Sequence, residues 1–206
     1  TDVSDAEWIA QLLQCGLLKG SFVPPRAVRN LRDLTRHRAQ LAAEKTRVAN
    51  RIHKLLQDAN IKLSAVATDI LGKSGRSMLQ ALMHGETDAN HMADLAMGVL
   101  RAKIPELRLA LEGRVTEHHR FQLERLLTHL DFLENEVQLL SQEIARYEAD
   151  LLPREDAERL DAIPGVNVTT IQNVLAEIGP DMSVFPDEHH LSSWTGICPG
   201  NEESAG

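Results

Sequence analysis

Leu123, Leu126, Leu130, Leu133, Val137, Leu140, Ile144, Tyr147 and Leu151 follow one another at alternating spacings of three and four. Such a grid, unbroken over roughly four heptads, belongs to a long helix with a single apolar seam, and a seam of that length must be covered by another helix. Residues 27–60 supply the counterpart. Leu31, Leu34, Leu41, Val48, Ile52, Leu55 and Ala59 keep the same grid, with only Arg38 and Lys45 as polar residues at seam positions. Pro24-Pro25 can start this helix, and Pro153 stops the later one. Antiparallel pairing within one chain and pairing between chains both satisfy the pattern.

The rest of the composition agrees with a mainly α chain. Hydrophobic residues make up 43% of the 206, yet aromatic residues only 3%, which suits Leu- and Ala-rich helices better than a β-sandwich. No apolar run reaches the length of a membrane span and no signal peptide is visible, so a cytoplasmic setting without a membrane partner is expected. Cys15 and Cys198 lack metal-ligand spacing and point to a reducing compartment. No HExxH, Walker A or CxxC sequence occurs. The adjacent pairs His118-His119 and His189-His190 do not share a helix face.

Three segments are expected: residues 1–24, a helical arm over 25–152, and a small unit over 153–206. The middle of the arm, residues 60–115, is punctuated by Gly72, Gly75, Gly85 and Pro105 and reads as a helical cap or connector, with Leu79, Leu82, Met83, Met92, Leu95 and Leu100 as its packed face. In the last segment a short helix, Ile163-Pro164-Gly165-Val166-Asn167-Val168, and a second helix from Thr169 form a pattern similar to a helix-hairpin-helix. Such a turn presents free amides at a helix N-terminus to a phosphate. Gly165, Val166, Asn167, Val168 and Thr169 are therefore candidate backbone-contact residues, with Asn167 in place of a second glycine and expected to take a left-handed conformation. A plain αα-hairpin fits the segment equally well. Trp8 and Trp194 read as packing anchors.

Net charge is −8, but its distribution matters more than its sum. Residues 26–62 hold ten Lys or Arg against three acids, a local +7, while residues 124–161 hold eleven acids against four bases. A basic stripe on an otherwise acidic protein is the footprint of a nucleic-acid surface. Arg29, Arg32, Arg36, Arg38, Arg47, Arg51 and Lys54 are the candidate phosphate contacts. The competing reading is a structural coiled-coil protein whose basic and acidic helices neutralise each other.

Asp2 and Asp5 open a helical pattern, and at i and i+3 they lie on one face. First-turn acids are usually helix caps or partners of the helix dipole. The same pair can also direct hard oxygen ligands at a divalent cation.

The stretches TDVSDAEWIAQLL, GSFVPP, RNLRDLTRHR, LQDANIKL, IPGVNVTTIQNVLAEIGPDMSVFP and WTGICPGNEESAG run from end to end of the chain. In content and order they resemble the IS110/IS1111 family of transposases, DNA recombinases of bacterial insertion sequences. The resemblance implies a RuvC-like, RNase H-type α/β domain with a DEDD acidic tetrad, of which residues 1–24 would be the last part. A helical arm and a second catalytic domain would follow. Asp2 and Asp5 match the last two acids of the tetrad, which holds Mg²⁺, and Ser204 matches the serine that attacks DNA. DNA is the implied partner, an element-encoded guide RNA a further one, and homo-oligomers through the arm are expected. The first two acids of the tetrad are not in this sequence. A fragment lacking the start of the RuvC-like domain and the end of the C-terminal domain is thus expected, one that binds Mg²⁺ weakly and does not itself recombine DNA.

Overall fold

The computed structural model describes residues 2–18 and 23–194, and every regular element among them is helical. The helices are α1 (Asp2–Gln14), α2 (Arg26–Asp58), α3 (Lys73–Met83), α4 (Ala89–Asp94), α5 (Ile104–Ala110), α6 (Glu117–Leu151), α7 (Arg154–Asp161), α8 (Val168–Ile178) and α9 (Glu188–Trp194). They fall into two compact units, residues 34–144 and residues 1–33 with 145–206. The mainly α expectation holds.

α2 has no Gly or Pro in its 33 residues, so nothing interrupts its hydrogen-bond ladder. Its first bond runs from the Arg29 amide to Pro25 O, 3.1 Å. It ends in a Schellman motif: the Ile61 amide donates to Leu56 O (2.8 Å) and the Asn60 amide to Gln57 O (3.0 Å). Asn60 takes the left-handed conformation this motif needs, φ 57°. The chain is thereby turned back over its own helix.

Within residues 34–144, α2 and α6 pair antiparallel. Lys45 Nζ lies 2.9 Å from Glu134, His129 Nε2 3.9 Å from Glu44, and His119 Nε2 2.9 Å from Asp58. Of the two pairings the heptads leave open, the intramolecular one is present. The segment between the helices is more than a connector. Ile61, Leu63, Ile70, Met78, Leu79, Leu82, Met92, Leu107 and Leu111 form one core with Val48, Ile52 and Leu56 of α2 and Leu123, Leu127, Leu130 and Leu133 of α6. Of the expected packed face, Leu79, Leu82 and Met92 are in this core, with Met83, Leu95 and Leu100 packed against it.

The cap also changes the seam. Leu127, off the heptad grid, is buried, whereas Leu126, Val137 and Leu140 on the grid are half-buried. Leu127 lines a pocket with Arg76, Gln80 and Met83 of α3. α6 is thus covered on two sides, and a single coiled-coil seam describes only one of them. Two glycines let the cap approach. A Cβ on Gly75 would stand 2.1 Å from Ile70 O, and one on Gly113 would stand 2.4 Å from Ala59 O.

In the other unit, Val28, Leu31, Ile171, Leu175 and Ala176 are buried, and polar contacts surround them. Arg32 donates to Ala176 O (3.0 Å) and Glu177 O (2.7 Å), and its Nε lies 3.0 Å from the Glu177 carboxylate. Gln172 Nε2 donates to Glu148 at 2.7 Å. α1 presents Trp8 61% exposed, with Ile9, Leu13 and Leu17 also exposed. Trp8 is therefore not the packing anchor expected of it, because no apolar neighbour among the described residues covers it. The Trp194 side chain lies outside the described residues.

Candidate nucleic-acid interface

Arg36, Arg47, Arg51 and Lys54 are separated by eleven, four and three residues. At about 100° per residue these positions fall on one face of α2. All four are exposed. The line they form is on the order of 27 Å long at 1.5 Å per residue. Arg38, half a turn away, is buried at 8% exposure. The positive face formed by these four residues therefore points to solvent, whereas Arg38 sits within the helix packing.

This line leads into a groove of about 350 Å³ lined by Arg51, Lys54, Leu55 and Asp58 of α2 and His118, His119, Gln122 and Leu126 of α6. His118 and His119 lie in the first turn of the 35-residue α6, where unpaired amides and the helix dipole add positive potential. Imidazole His118 is 2.6 Å from Gln122 Nε2. His119 is held between Asp58 at 2.9 Å and the Thr116 hydroxyl at 2.9 Å. Asp58 occupies one edge and is engaged by His119, which leaves Arg51, Lys54 and His118 as the groove's cationic or protonatable face. Adjacent in sequence, the two histidines both line the groove. Their signal in the sequence is the antiparallel register, which sets the end of α2 beside the start of α6.

The remaining candidates separate into two groups. Arg29 is exposed near the start of α2, whereas Arg32 is committed to the C-terminal carbonyls of α8. In the α7–α8 hairpin, Gly165 is left-handed at φ 87°. Asn167 is not: it is extended, φ −128° and ψ 170°, and caps α8 by accepting from the Thr170 amide at 2.9 Å. The reason is that Asn is a better N-cap than left-handed residue once a glycine two positions earlier has made the turn. Gly165, Asn167, Val168 and Thr169 are exposed and Val166 half-buried, so the turn stands open to a ligand.

Asp2 and Asp5 are in the first turn of α1, with Asp5 exposed. The Asp2 side chain and Ser204 lie outside the described residues. Among the described residues no group of three or more His, Cys, Asp or Glu could hold a metal ion. Two carboxylates on one turn fall short of the oxygen donor set Mg²⁺ requires.

Two family models match the chain. Residues 1–61 match the IS110-type DEDD family described as Transposase, and residues 157–206 match the family described as Transposase IS116/IS110/IS902 family. Together they take in more than half of the 206 residues and both regions that carry the quoted motifs. The chain belongs to the IS110 family of transposases. No curated protein and no solved structure matches it. Transposition by DNA recombination, DNA as partner and use of divalent metal are general to this family. No helix among the described residues is long and apolar enough to cross a membrane. Neither family model extends over residues 62–156, where the best-formed core and half of the groove reside.

Proposed function

We propose that this protein binds the phosphate backbone of the DNA handled in transposition through the exposed basic face of α2 and the groove at its end. The observation that carries this reading is the orientation of the charge. Arg51 and Lys54 are exposed and line one groove with His118, and Arg47, also exposed, lies one turn earlier on the same face of α2. This favours nucleic-acid contact over mutual neutralisation of the two helices, for which Lys45 and Glu134 supply one cross-helix pair. The α8 N-terminal turn, Gly165 to Thr169, is a second backbone contact in this proposal, and Arg29 and Arg36 extend the basic face.

In this proposal Ser204, which matches the serine of the family's motif, acts as nucleophile. Its Oγ would form a bond to phosphorus while the bond to the 3′ oxygen breaks, giving a 5′-phosphoserine link and a free 3′-hydroxyl that takes up the proton. Asp2 and Asp5 would contribute to a four-acid Mg²⁺ site together with two further carboxylates. A guide RNA and self-association through the helical arm belong to the same reading.

The test is a filter-binding titration of duplex DNA at several salt concentrations. Each phosphate contact contributes about 0.9 to the slope of log affinity against log salt. The combined substitution Arg47→Ala, Arg51→Ala and Lys54→Ala should lower the slope by about 2 to 3 on that basis. An unchanged slope would remove the basic face from the interface.

A further inference from the structure

α6 repeats a short pattern beside the basic groove. His118-His119-Arg120-Phe121 and His129-Leu130-Asp131-Phe132 each set a phenylalanine three residues after a histidine, and the repeats are eleven residues apart. Eleven residues make close to three helical turns, so the repeats share a face. His118 lines the groove, and His129 Nε2 lies 3.9 Å from Glu44 of α2, which puts both histidines on the α2 side of α6. Each phenylalanine stands about 60° further round, where Phe121 is 63% and Phe132 58% exposed. Arg125, also exposed, lies between them within about 40° of each. Single exposed apolar residues need no explanation. The chain has only four phenylalanines, however, and two of them stand in register beside cations.

We propose that Phe121 and Phe132 are stacking platforms for the bases of a single-stranded nucleic acid whose phosphates lie along Arg47, Arg51 and Lys54. This rests on the nucleic-acid reading of the groove and names the form of strand it takes. A base-paired duplex hides the faces of its bases and offers a protein its phosphates and base edges. An unpaired strand offers phosphates and flat base faces together, and a row of cations beside a row of aromatic rings complements both. Arg125 adds a positive charge, and its planar guanidinium can stack on a base as the rings do.

The two rows agree in length and charge. Phe121 and Phe132 are separated by roughly 16 Å along α6, and Arg47 and Lys54 by roughly 10 Å along α2. At about 3.4 Å per stacked nucleotide the phenylalanines span some five nucleotides, so a strand that reaches both rings also passes the cations. Acids border the surface, and three of them sit beside basic side chains: Glu124 lies 2.6 Å from Arg125, Asp58 2.9 Å from His119 and Glu44 3.9 Å from His129. Arg47, Arg51 and Lys54 keep the phosphate side positive.

Fluorescence anisotropy of the full chain with labelled oligo-dT, oligo-U and a duplex of equal length tests the platform. Phe121→Ala and Phe132→Ala should each weaken binding of the unpaired strand about 5- to 100-fold, the range for one lost stacking contact. Duplex affinity, circular dichroism and the salt slope should not change, because neither substitution removes a phosphate contact. Phe121→Trp should restore what Phe121→Ala loses. Tighter binding of oligo-U names RNA as the strand and tighter binding of oligo-dT names DNA; either order upholds the proposal. It is overturned by strand affinity indifferent to both alanine substitutions, or by equal losses for strand and duplex. Substitutions that alter only the sedimentation of the chain would also overturn it, since the phenylalanines would then meet a second copy. The two readings fail separately: an unchanged salt slope on removing Arg47, Arg51 and Lys54 removes the backbone contacts, whereas silent phenylalanine substitutions remove the platform alone.

Discussion

Residues 34–144 surround their apolar side chains from several directions, with short helices closing over two long ones. The unit made of residues 1–33 and 145–206 holds a smaller apolar set and leans on directed polar contacts such as Arg32 with the end of α8. It also leaves the apolar face of α1 in contact with solvent. The family matches fall on α1, α2 and residues 157–206, whereas the cap and the whole of α6 match neither model. Residues selected for chemistry carry family signatures, while a helical core is satisfied by many sequences of the right volume and pattern. The unit that is most self-sufficient in packing is therefore the least diagnostic of function.

This contrast is broken most directly by core substitutions. Leu79, fully buried in the cap, should cost about 2–5 kcal/mol when replaced by Ala. Gly75→Ala should be comparably damaging, since its Cβ would meet the Ile70 backbone at 2.1 Å. Leu13→Ala on the exposed face of α1 should change stability by less than about 0.5 kcal/mol. Urea unfolding measures all three, and a Leu13 effect as large as that of Leu79 would show that α1 is buried in solution.

Arg32 sharpens the comparison from the polar side. Its guanidinium donates to two carbonyls that end α8 and faces Glu177, with its side chain 20% exposed. Hydrogen bonds from a charged donor are worth about 1.5–3 kcal/mol, so Arg32→Ala should lower hydrogen-exchange protection of α8 while leaving Leu123 to Leu133 unchanged. Arg32→Lys should not rescue it, because one ammonium cannot reproduce the planar fork. Equal loss of protection in both regions would contradict the division into two units.

The same two regions differ in how legible they are in the sequence. The heptads of α6 and the α2 counterpart announce both long helices, because a period sustained over thirty residues survives any tertiary context. Burial of Leu127 is invisible to that period. It arises from a cap of short helices with no period of their own, positioned by the turn at Asn60 and the close approaches at Gly75 and Gly113. At the interface, the exposed basic face could be read from the spacing of Arg47, Arg51 and Lys54. His118, His119 and Gln122 could not, since they join it only through the antiparallel register. Arg32 and Arg38 have the same composition signal as their neighbours, yet one ties down a helix end and the other is buried. Charge counting finds a basic helix; helical angle decides which of its residues meet solvent.

The smallest expected effect lies in the loop before α4, where Glu86 accepts from the Thr87 and Asp88 amides and lies against His91. The Asp88 amide, then the His91 ring and the Thr87 amide, hold the Glu86 carboxyl down to about 2, and the Glu86 carboxylate raises the His91 pKa. The sign follows from linkage. The lowered carboxyl contributes stability above its ordinary value of 4.5, lost as pH falls toward about 2. The raised imidazole contributes below its ordinary 6.5, lost as pH rises through its higher folded value. Both contributions are complete between those two ordinary values. NMR titration of His91 should give a midpoint above 6.5 that moves down in Glu86→Gln, with the melting temperature declining slightly from mildly acidic to alkaline pH in the parent only. Because neither residue lines the basic groove, DNA affinity should follow neither change; a His91 midpoint unaffected by Glu86→Gln would remove the pair as the origin of the pH effect.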